Sequence, residues 1–127
     1  MGTTYLIDSN IAIYLLNGSL NENALRFIEP IINDIYYLSV ISKIEVLGFA
    51  FPDAEKLSDT QNFINDGILI NLTDDIVDKT ITLKQAYKIK MPDAIIAATA
   101  IVLDYTLLSR NDKDFTQIAG LKYINPF

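Results

Sequence analysis

The chain has 127 residues, of which half are apolar, a formal net charge of −6, and neither Cys nor His. This length and composition suit one domain with a buried core, predicted over residues 1–127. The missing Cys and His exclude disulfides, thiolate or imidazole metal sites, and triads or acid–base pairs built on these side chains. Any hydrolytic chemistry must therefore use carboxylates, which favour a hard, oxygen-binding cation.

Short apolar runs alternate with helical patterns along the first half of the chain. The pattern predicts a strand at 4–7, helices at 11–16 and 21–32, a strand at 36–40, and a helix from Ser42 to about Phe49. Ser9 or Asn10 is expected to cap the first helix. Pro30 is expected to kink or shorten the second helix. Glu45 follows Ser42 at the spacing of a capping box.

The same alternation continues through the second half. It predicts a helix at 53–65, a strand at 68–71, a helix from Thr73 or Asp74 to about Lys88, a helix at 93–103, a strand at 105–109, a helix at 112–119 and a strand at 122–124. Short strands separated by helices indicate the α/β class, here an α/β/α sandwich around a central parallel sheet of about five strands.

The overall negative charge argues against a nucleic-acid partner, because binding to the phosphate backbone is driven by Lys and Arg. The basic residues are unevenly distributed, however. Seven of the ten lie in the last third or so of the chain: Lys79, Lys84, Lys88, Lys90, Arg110, Lys113 and Lys122. No apolar run is long enough to span a membrane and no leader pattern opens the sequence, so we expect a soluble cytoplasmic protein.

Separate segments place carboxylates near the carboxyl ends of the predicted strands, where ligands gather in parallel sheets. Asp8 follows the first strand, Glu45 lies one turn into the helix after the second, and Asp93 opens the Ala- and Ile-rich helix before the fourth. Asp112 and Asp114 follow the fourth strand, and their spacing does not choose between them. Each acid alone has a structural alternative, such as a turn, a capping box or a favourable charge at a helix N-terminus.

Five segments resemble, in this order, the PIN-domain ribonucleases and within them the VapC-type toxins of toxin–antitoxin pairs. They are residues 5–10 (YLIDSN), 38–47 (LSVISKIEVL), 90–98 (KMPDAIIAA), 107–115 (LLSRNDKDF) and 120–126 (GLKYINP). Each motif is short, but five in sequence at this spacing cover essentially the whole chain. The resemblance implies the same α/β/α fold with a parallel sheet.

The resemblance also implies residue roles. The catalytic acids, holding Mg²⁺ or Mn²⁺, would be Asp8, Glu45, Asp93 and Asp114, with Asp112 as the competing fourth acid. The polar residues expected to support them are Asn10, Ser42, Ser109 and Asn111. The basic residues that flank them, either as RNA-binding groups or as merely solvated charges, are Lys90, Arg110 and Lys113.

The resemblance implies metal-dependent endoribonuclease activity that hydrolyses RNA phosphodiester bonds, a homodimer, and a cognate VapB-like antitoxin. One alternative is a PIN-like module that binds RNA or protein without cleaving it. Another is a phosphoryl-transfer protein with Asp8 as nucleophile, but such phosphatases have a second Asp where this chain has Asn10.

Overall fold

The computed structural model describes residues 2–48 and 51–127, and its centre is one parallel sheet. The strands are β1 (Tyr5–Ile7), β2 (Tyr37–Ser39), β3 (Ile68–Ile70), β4 (Thr106–Leu108) and β5 (Lys122–Ile124). Their order is β3-β2-β1-β4-β5, with every neighbouring pair parallel. The α/β class and the five-stranded parallel sheet are thus confirmed.

Helices cover both faces of this sheet. They are α1 (Ser9–Leu16), α2 (Glu22–Ile32), α3 (Val40–Leu47), α4 (Ala54–Asp66), α5 (Asp74–Ala86), α6 (Met91–Leu103) and α7 (Asp112–Phe115). No helix within the described ranges is long and apolar enough to cross a membrane.

Alternation along the strands sends successive side chains to opposite faces and so divides the core into two clusters. Leu6 packs with the buried side chains of α5, α6 and α7, whereas the next residue, Ile7, packs with those of α1 to α4. Leu107 and Leu108 divide in the same way on β4. Both faces of the central strands are therefore buried, as expected for a parallel sheet.

Several predicted helix boundaries are corrected. The cap of α1 is Asp8, whose Oδ1 accepts from the backbone N–H of Ser9 at 2.8 Å, and not Ser9 or Asn10. The cap of α3 is Ser39, and Ser42 lies buried inside that helix. A cap must sit where the backbone is still extended, and the turn out of each strand comes earlier than predicted. The expected end of α3 near Phe49 lies outside the described residues.

Three further helix boundaries can be compared with the prediction, those of α2, α7 and α5. Pro30 does not shorten α2, because the helix continues to Ile32 and the Asn33 N–H still donates to the Glu29 carbonyl. The helix predicted to reach residue 119 ends at Phe115, and beyond it the Ile118 N–H donates to the Phe115 carbonyl, three residues back, at 3.3 Å, which forms a turn and not a continuing α-helix. Thr73 or Asp74 is predicted to begin α5, and the structure has Thr73 as its cap.

Candidate active site

Asp8 lies where the central strand β1 ends, and it is almost fully buried, with 4% of its surface exposed. Its backbone N–H donates to the Leu108 carbonyl at 3.0 Å, which fixes it beside the end of β4. Its Oδ2 accepts a 2.7 Å hydrogen bond from the Ser109 hydroxyl. Burial is the main factor that raises the pKa of Asp8 to about 6, and the negative charge of Glu45 adds to it.

The Ser109 hydroxyl is the centre of a small polar network. It donates to Asp8 and accepts from the Asn10 side-chain amide at 3.2 Å and from the Asn111 N–H at 3.0 Å. Ser109 is fully buried, so these partners replace water. The structure therefore brings together three of the four predicted supporting residues around one oxygen of Asp8.

Glu45 reaches the same edge from α3 and is held by a residue that sequence reasoning treated only as a cap. The Ser9 hydroxyl donates to Glu45 Oε1 at 2.6 Å, and it lies 3.0 Å from the hydroxyl of Ser42. Ser42, the fourth predicted supporting residue, is thus connected to Glu45 through Ser9. The sequence contains one indication of this role for Ser9, which is its position between Asp8 and Asn10 in the first motif.

Asp93 lies in the first turn of α6 and is half-buried. Burial is the largest factor that raises its pKa to about 6, followed by the negative charges of Asp8 and Asp114, a hydrogen bond with Asp114 that requires a proton, and the charge of Glu45. The charges of the other three predicted acids thus all act on Asp93, at the carboxyl edge of the sheet.

Asp112 and Asp114 have different environments. The Asn111 side-chain amide donates to Asp114 Oδ2 at 2.9 Å, and Asp114 faces Asp93. Asp112 instead accepts from the Tyr123 hydroxyl at 2.6 Å and from the Asn125 amide at 3.1 and 3.2 Å. Burial and the contact with Asp112 raise the pKa of Tyr123, so its hydroxyl stays protonated and donating. Asp112 is thus held by Tyr123 and Asn125, and its charge is not among those that raise the pKa of Asp93.

Among the described residues, no basic side chain forms an ion pair with these four acids. The two ion pairs in the described part of the chain, Arg26–Glu22 and Lys122–Asp104, lie elsewhere. The predicted RNA-binding residues Lys90, Arg110 and Lys113 are all exposed, each next to or within three residues of a site residue in the sequence. None of the three forms an ion pair with these acids within the described residues.

The donor set fits a hard divalent cation, because it consists of oxygen atoms and carries negative charge without a basic partner. Within residues 2–48 and 51–127, no three acidic side chains form a ready-made metal cluster. Mg²⁺ usually takes only one or two protein carboxylates and completes its shell with water and phosphate, so Asp8 and Asp93 suffice to begin such a site.

The sequence profile of the PIN domain family matches residues 5–121. The chain belongs to the PIN domain family. This PIN domain is also similar to a chain of a toxin–antitoxin complex from Klebsiella pneumoniae, with 33% identity, 98% of each chain covered and a TM-score of 0.81. A chain of VapBC-1 from nontypeable Haemophilus influenzae shares 25% identity, with 97% and 98% covered and a TM-score of 0.76.

A third solved structure, VapBC2 from Rickettsia felis bound to a DNA fragment from their promoter, shares the fold at 21% identity, with 97% and 98% covered and a TM-score of 0.81. A comparison with curated protein sequences gives no match. The expected resemblance to PIN domains of the VapC type is confirmed by these matches, and PIN domains are generally nucleases.

Proposed function

We propose that this PIN domain is a Mg²⁺- or Mn²⁺-dependent endoribonuclease that acts as the toxin of a VapBC-type pair. One observation carries the proposal: the negative charges of Asp8, Asp114 and Glu45 all raise the pKa of Asp93, and among the described residues no basic side chain forms an ion pair with any of these acids. Burying like charges together is unfavourable, and such perturbed carboxylates are concentrated at functional sites. A divalent cation would remove the repulsion.

In the proposed mechanism, Asp8 and Asp93 hold the cation, and Glu45 and Asp114 complete the site. A cation held there would supply Lewis-acid chemistry, polarising the phosphoryl group and activating water. Ser109 fixes the orientation of Asp8 through its 2.7 Å hydrogen bond, and Ser9 does the same for Glu45 at 2.6 Å. Such supporting contacts keep ligands in a productive geometry.

The fourth acid is proposed to be Asp114 and not Asp112. The support is geometric, because Asp112 already accepts hydrogen bonds from Tyr123 and Asn125, whereas Asp114 couples to Asp93. Lys90, Arg110 and Lys113 are proposed to bind RNA phosphates around the acids, with cleavage leaving 5′-phosphate and 3′-hydroxyl ends.

The proposal includes a partner, because the similar chains from Klebsiella pneumoniae and Haemophilus influenzae were solved in a toxin–antitoxin complex and in VapBC-1. We infer a cognate VapB-like antitoxin and a homodimeric toxin. The same proposal places the enzyme in the cytoplasm, together with its RNA substrate.

The test is to incubate the purified protein, free of antitoxin, with total cellular RNA in EDTA, Mg²⁺ or Mn²⁺, and to map the product ends by sequencing. Asp8→Asn/Asp93→Asn serves as the inactive variant, and Asp114→Asn is compared with Asp112→Asn. We expect discrete cuts that need metal, vanish in the double variant and weaken far more in Asp114→Asn than in Asp112→Asn.

Absence of cleavage by folded wild-type protein in both metals would contradict the proposal. RNA binding of equal affinity in EDTA and Mg²⁺, without cleavage, would instead support a non-catalytic PIN-like binding module. Acid-stable phosphate labelling of Asp8 would support phosphoryl transfer.

A further inference from the structure

Arg110 differs from the other basic residues around the site in how firmly it is attached there. It directly follows Ser109, and its backbone N–H donates to Asn10 Oδ1 at 3.4 Å. The amide nitrogen of the same Asn10 donates to Ser109 Oγ, which in turn bonds Asp8. The backbone of Arg110 is therefore part of the network that orients the central acid.

Two aromatic rings contact the guanidinium of Arg110. Its central carbon lies 4.1 Å from the ring centroid of Phe127 and 5.4 Å from that of Tyr14. The two rings pack edge to face, with centroids 5.5 Å apart and planes inclined by 70°. In the described part of the chain, no other cation is stacked on an aromatic ring.

Both rings are themselves tied to the site. Tyr14 lies on α1, the helix that Asp8 caps. Phe127 follows β5, and its N–H donates to Asn125 Oδ1 at 3.0 Å. Asn125 in turn bonds both carboxylate oxygens of Asp112. Both rings are half-buried, so each is partly packed against the rest of the protein.

This arrangement places the guanidinium against the two rings, while the Arg110 backbone stays in the network around Asp8. Arg110 is exposed and is not among the ion pairs of the described residues. Stacking occupies a face of the planar guanidinium and leaves its N–H groups, which lie in the plane, free to form two parallel hydrogen bonds to a phosphate. A direct contact with Asp8 or Asp93 would occupy those donors and compete with a metal ion.

We propose that Tyr14 and Phe127 are positioning residues, which hold Arg110 at the edge of the acidic site so that its guanidinium binds a phosphate of the RNA backbone. This inference rests on the proposed ribonuclease function and deepens it. It separates Arg110 from Lys90 and Lys113, which are exposed and are not stacked on a ring in the described structure.

The test is a double-variant cycle on RNA affinity and on kinetics. The variants are Arg110→Gln, Phe127→Leu and the two combined, with Phe127→Tyr as the control that keeps a ring. The probe is a fluorescently labelled single-stranded RNA of mixed sequence. Its affinity is measured by anisotropy over a range of salt in the cleavage-deficient Asp93→Asn background. KM and kcat are measured without that background substitution.

We expect Phe127→Leu to weaken RNA binding by about two- to five-fold, the size of an exposed cation–π contact. Phe127→Tyr should retain wild-type affinity. Arg110→Gln should weaken binding further and lower the salt slope by roughly 0.7, the loss of one phosphate contact on a single strand. In the Arg110→Gln background, Phe127→Leu should have no additional effect. In Arg110→Gln and in Phe127→Leu, the KM for RNA should rise while kcat stays unchanged.

Equal affinity of Arg110→Gln and wild type, or a Phe127→Leu effect that persists without the arginine, would overturn the inference. Tyr14→Leu is a second test of the aromatic pair and should weaken RNA binding to the same small extent as Phe127→Leu, with folding checked by circular dichroism. If wild type cleaves RNA but these variants bind it as wild type does, only the positioning role of Tyr14 and Phe127 is wrong. If wild type neither binds nor cleaves RNA, the proposed function fails and this inference fails with it.

Discussion

Both edges of the sheet carry acids, but the ion pair that the described residues form there, Asp104–Lys122, lies at the amino edge. At the amino edge, Asp104 forms a 2.7 Å ion pair with Lys122 at the start of β5. Two aromatic pairs, Tyr5–Phe27 and Tyr37–Tyr105, pack beside the starts of β1, β2 and β4. At this edge the ion pair and the aromatic pairs connect residues of the protein to one another, as expected of a region that stabilises the fold.

At the carboxyl edge, the pKa values of Asp8 and Asp93 are both raised to about 6. Hydroxyl and amide groups orient the acids there, yet no ion pair neutralises them among the described residues. The comparison shows that acids at the carboxyl edge repel one another, whereas the acid Asp104 at the amino edge is neutralised by Lys122. Local instability of this kind is expected where a site must bind charge from outside.

The comparison is tested most strongly by removing one acid from each edge. Asp93→Asn should lower the RNA cleavage rate by about three orders of magnitude, because it removes a proposed cation ligand. It should also raise thermal stability in EDTA at pH 7, since the charge of Asp93 is unfavourable there. Cleavage assays and calorimetry measure the two effects.

Asp104→Asn is the matched control for that substitution. Asp104 has a left-handed backbone (φ 58°), which Asn tolerates, so the change mainly removes the charge. Cleavage should be retained and stability should fall by at most about 1 kcal/mol, because the ion pair is exposed. Loss of activity in Asp104→Asn, or full activity in Asp93→Asn, would contradict the division between the edges.

A second prediction concerns the network that orients the acids. Ser109→Ala removes the hydrogen bond to Asp8 and leaves two donors without their acceptor, so cleavage should fall by about 10- to 100-fold. Thr99→Val is the control, because Thr99 is equally buried but its hydroxyl bonds only the Ile95 carbonyl within α6. Similar cleavage rates for the two variants would show that the network has no functional role.

A third prediction concerns added metal. Mg²⁺ or Mn²⁺ at 100-fold above its dissociation constant should stabilise the folded protein by about 2.7 kcal/mol, since it binds the folded state alone. Differential scanning fluorimetry at pH 7 measures the rise in Tm. Asp93→Asn should reduce that rise, whereas Asp104→Asn should leave it unchanged. An equal rise in both variants would place the metal away from the carboxyl edge.

The smallest predicted effect is on pH dependence. Between the ordinary Asp value of 3.8 and about 6, the folded protein binds more protons at Asp8 and Asp93 than the unfolded chain does. Stability in EDTA should therefore rise as the pH falls from 7 through 6 toward 5, by about 2 kcal/mol at most. Urea unfolding at each pH measures it.

Asp93→Asn should reduce this gain, because one of the two responsible groups is gone, and saturating Mg²⁺ should reduce it as well, because protons and metal compete for the same carboxylates. Stability that falls between pH 7 and 5 in EDTA would contradict the raised pKa values.

Much of this site follows from the sequence because strand ends can be located from short patterns. Once Asp8 is placed after β1 and Asp93 at the start of α6, parallel pairing alone brings them to one edge. The same argument predicts the class of fold.

The choice between Asp112 and Asp114 could not be made in this way. It depends on Tyr123 and Asn125, which reach Asp112 only because β5 pairs with β4. The role of Ser9 was also missed, because its contact with Glu45 depends on how α1 packs against α3, which local pattern does not specify.

The central position of β1 also has a consequence for synthesis of the chain. Asp8 is made early, but its partner Ser109 comes 101 residues later, and β4 must form before β1 is paired on both sides. Contacts of such long sequence separation form late in folding. A nascent chain on the ribosome therefore lacks Ser109, Asp114 and half of the pairing of β1 until β4 and α7 have been made, so shorter chains carry no assembled site.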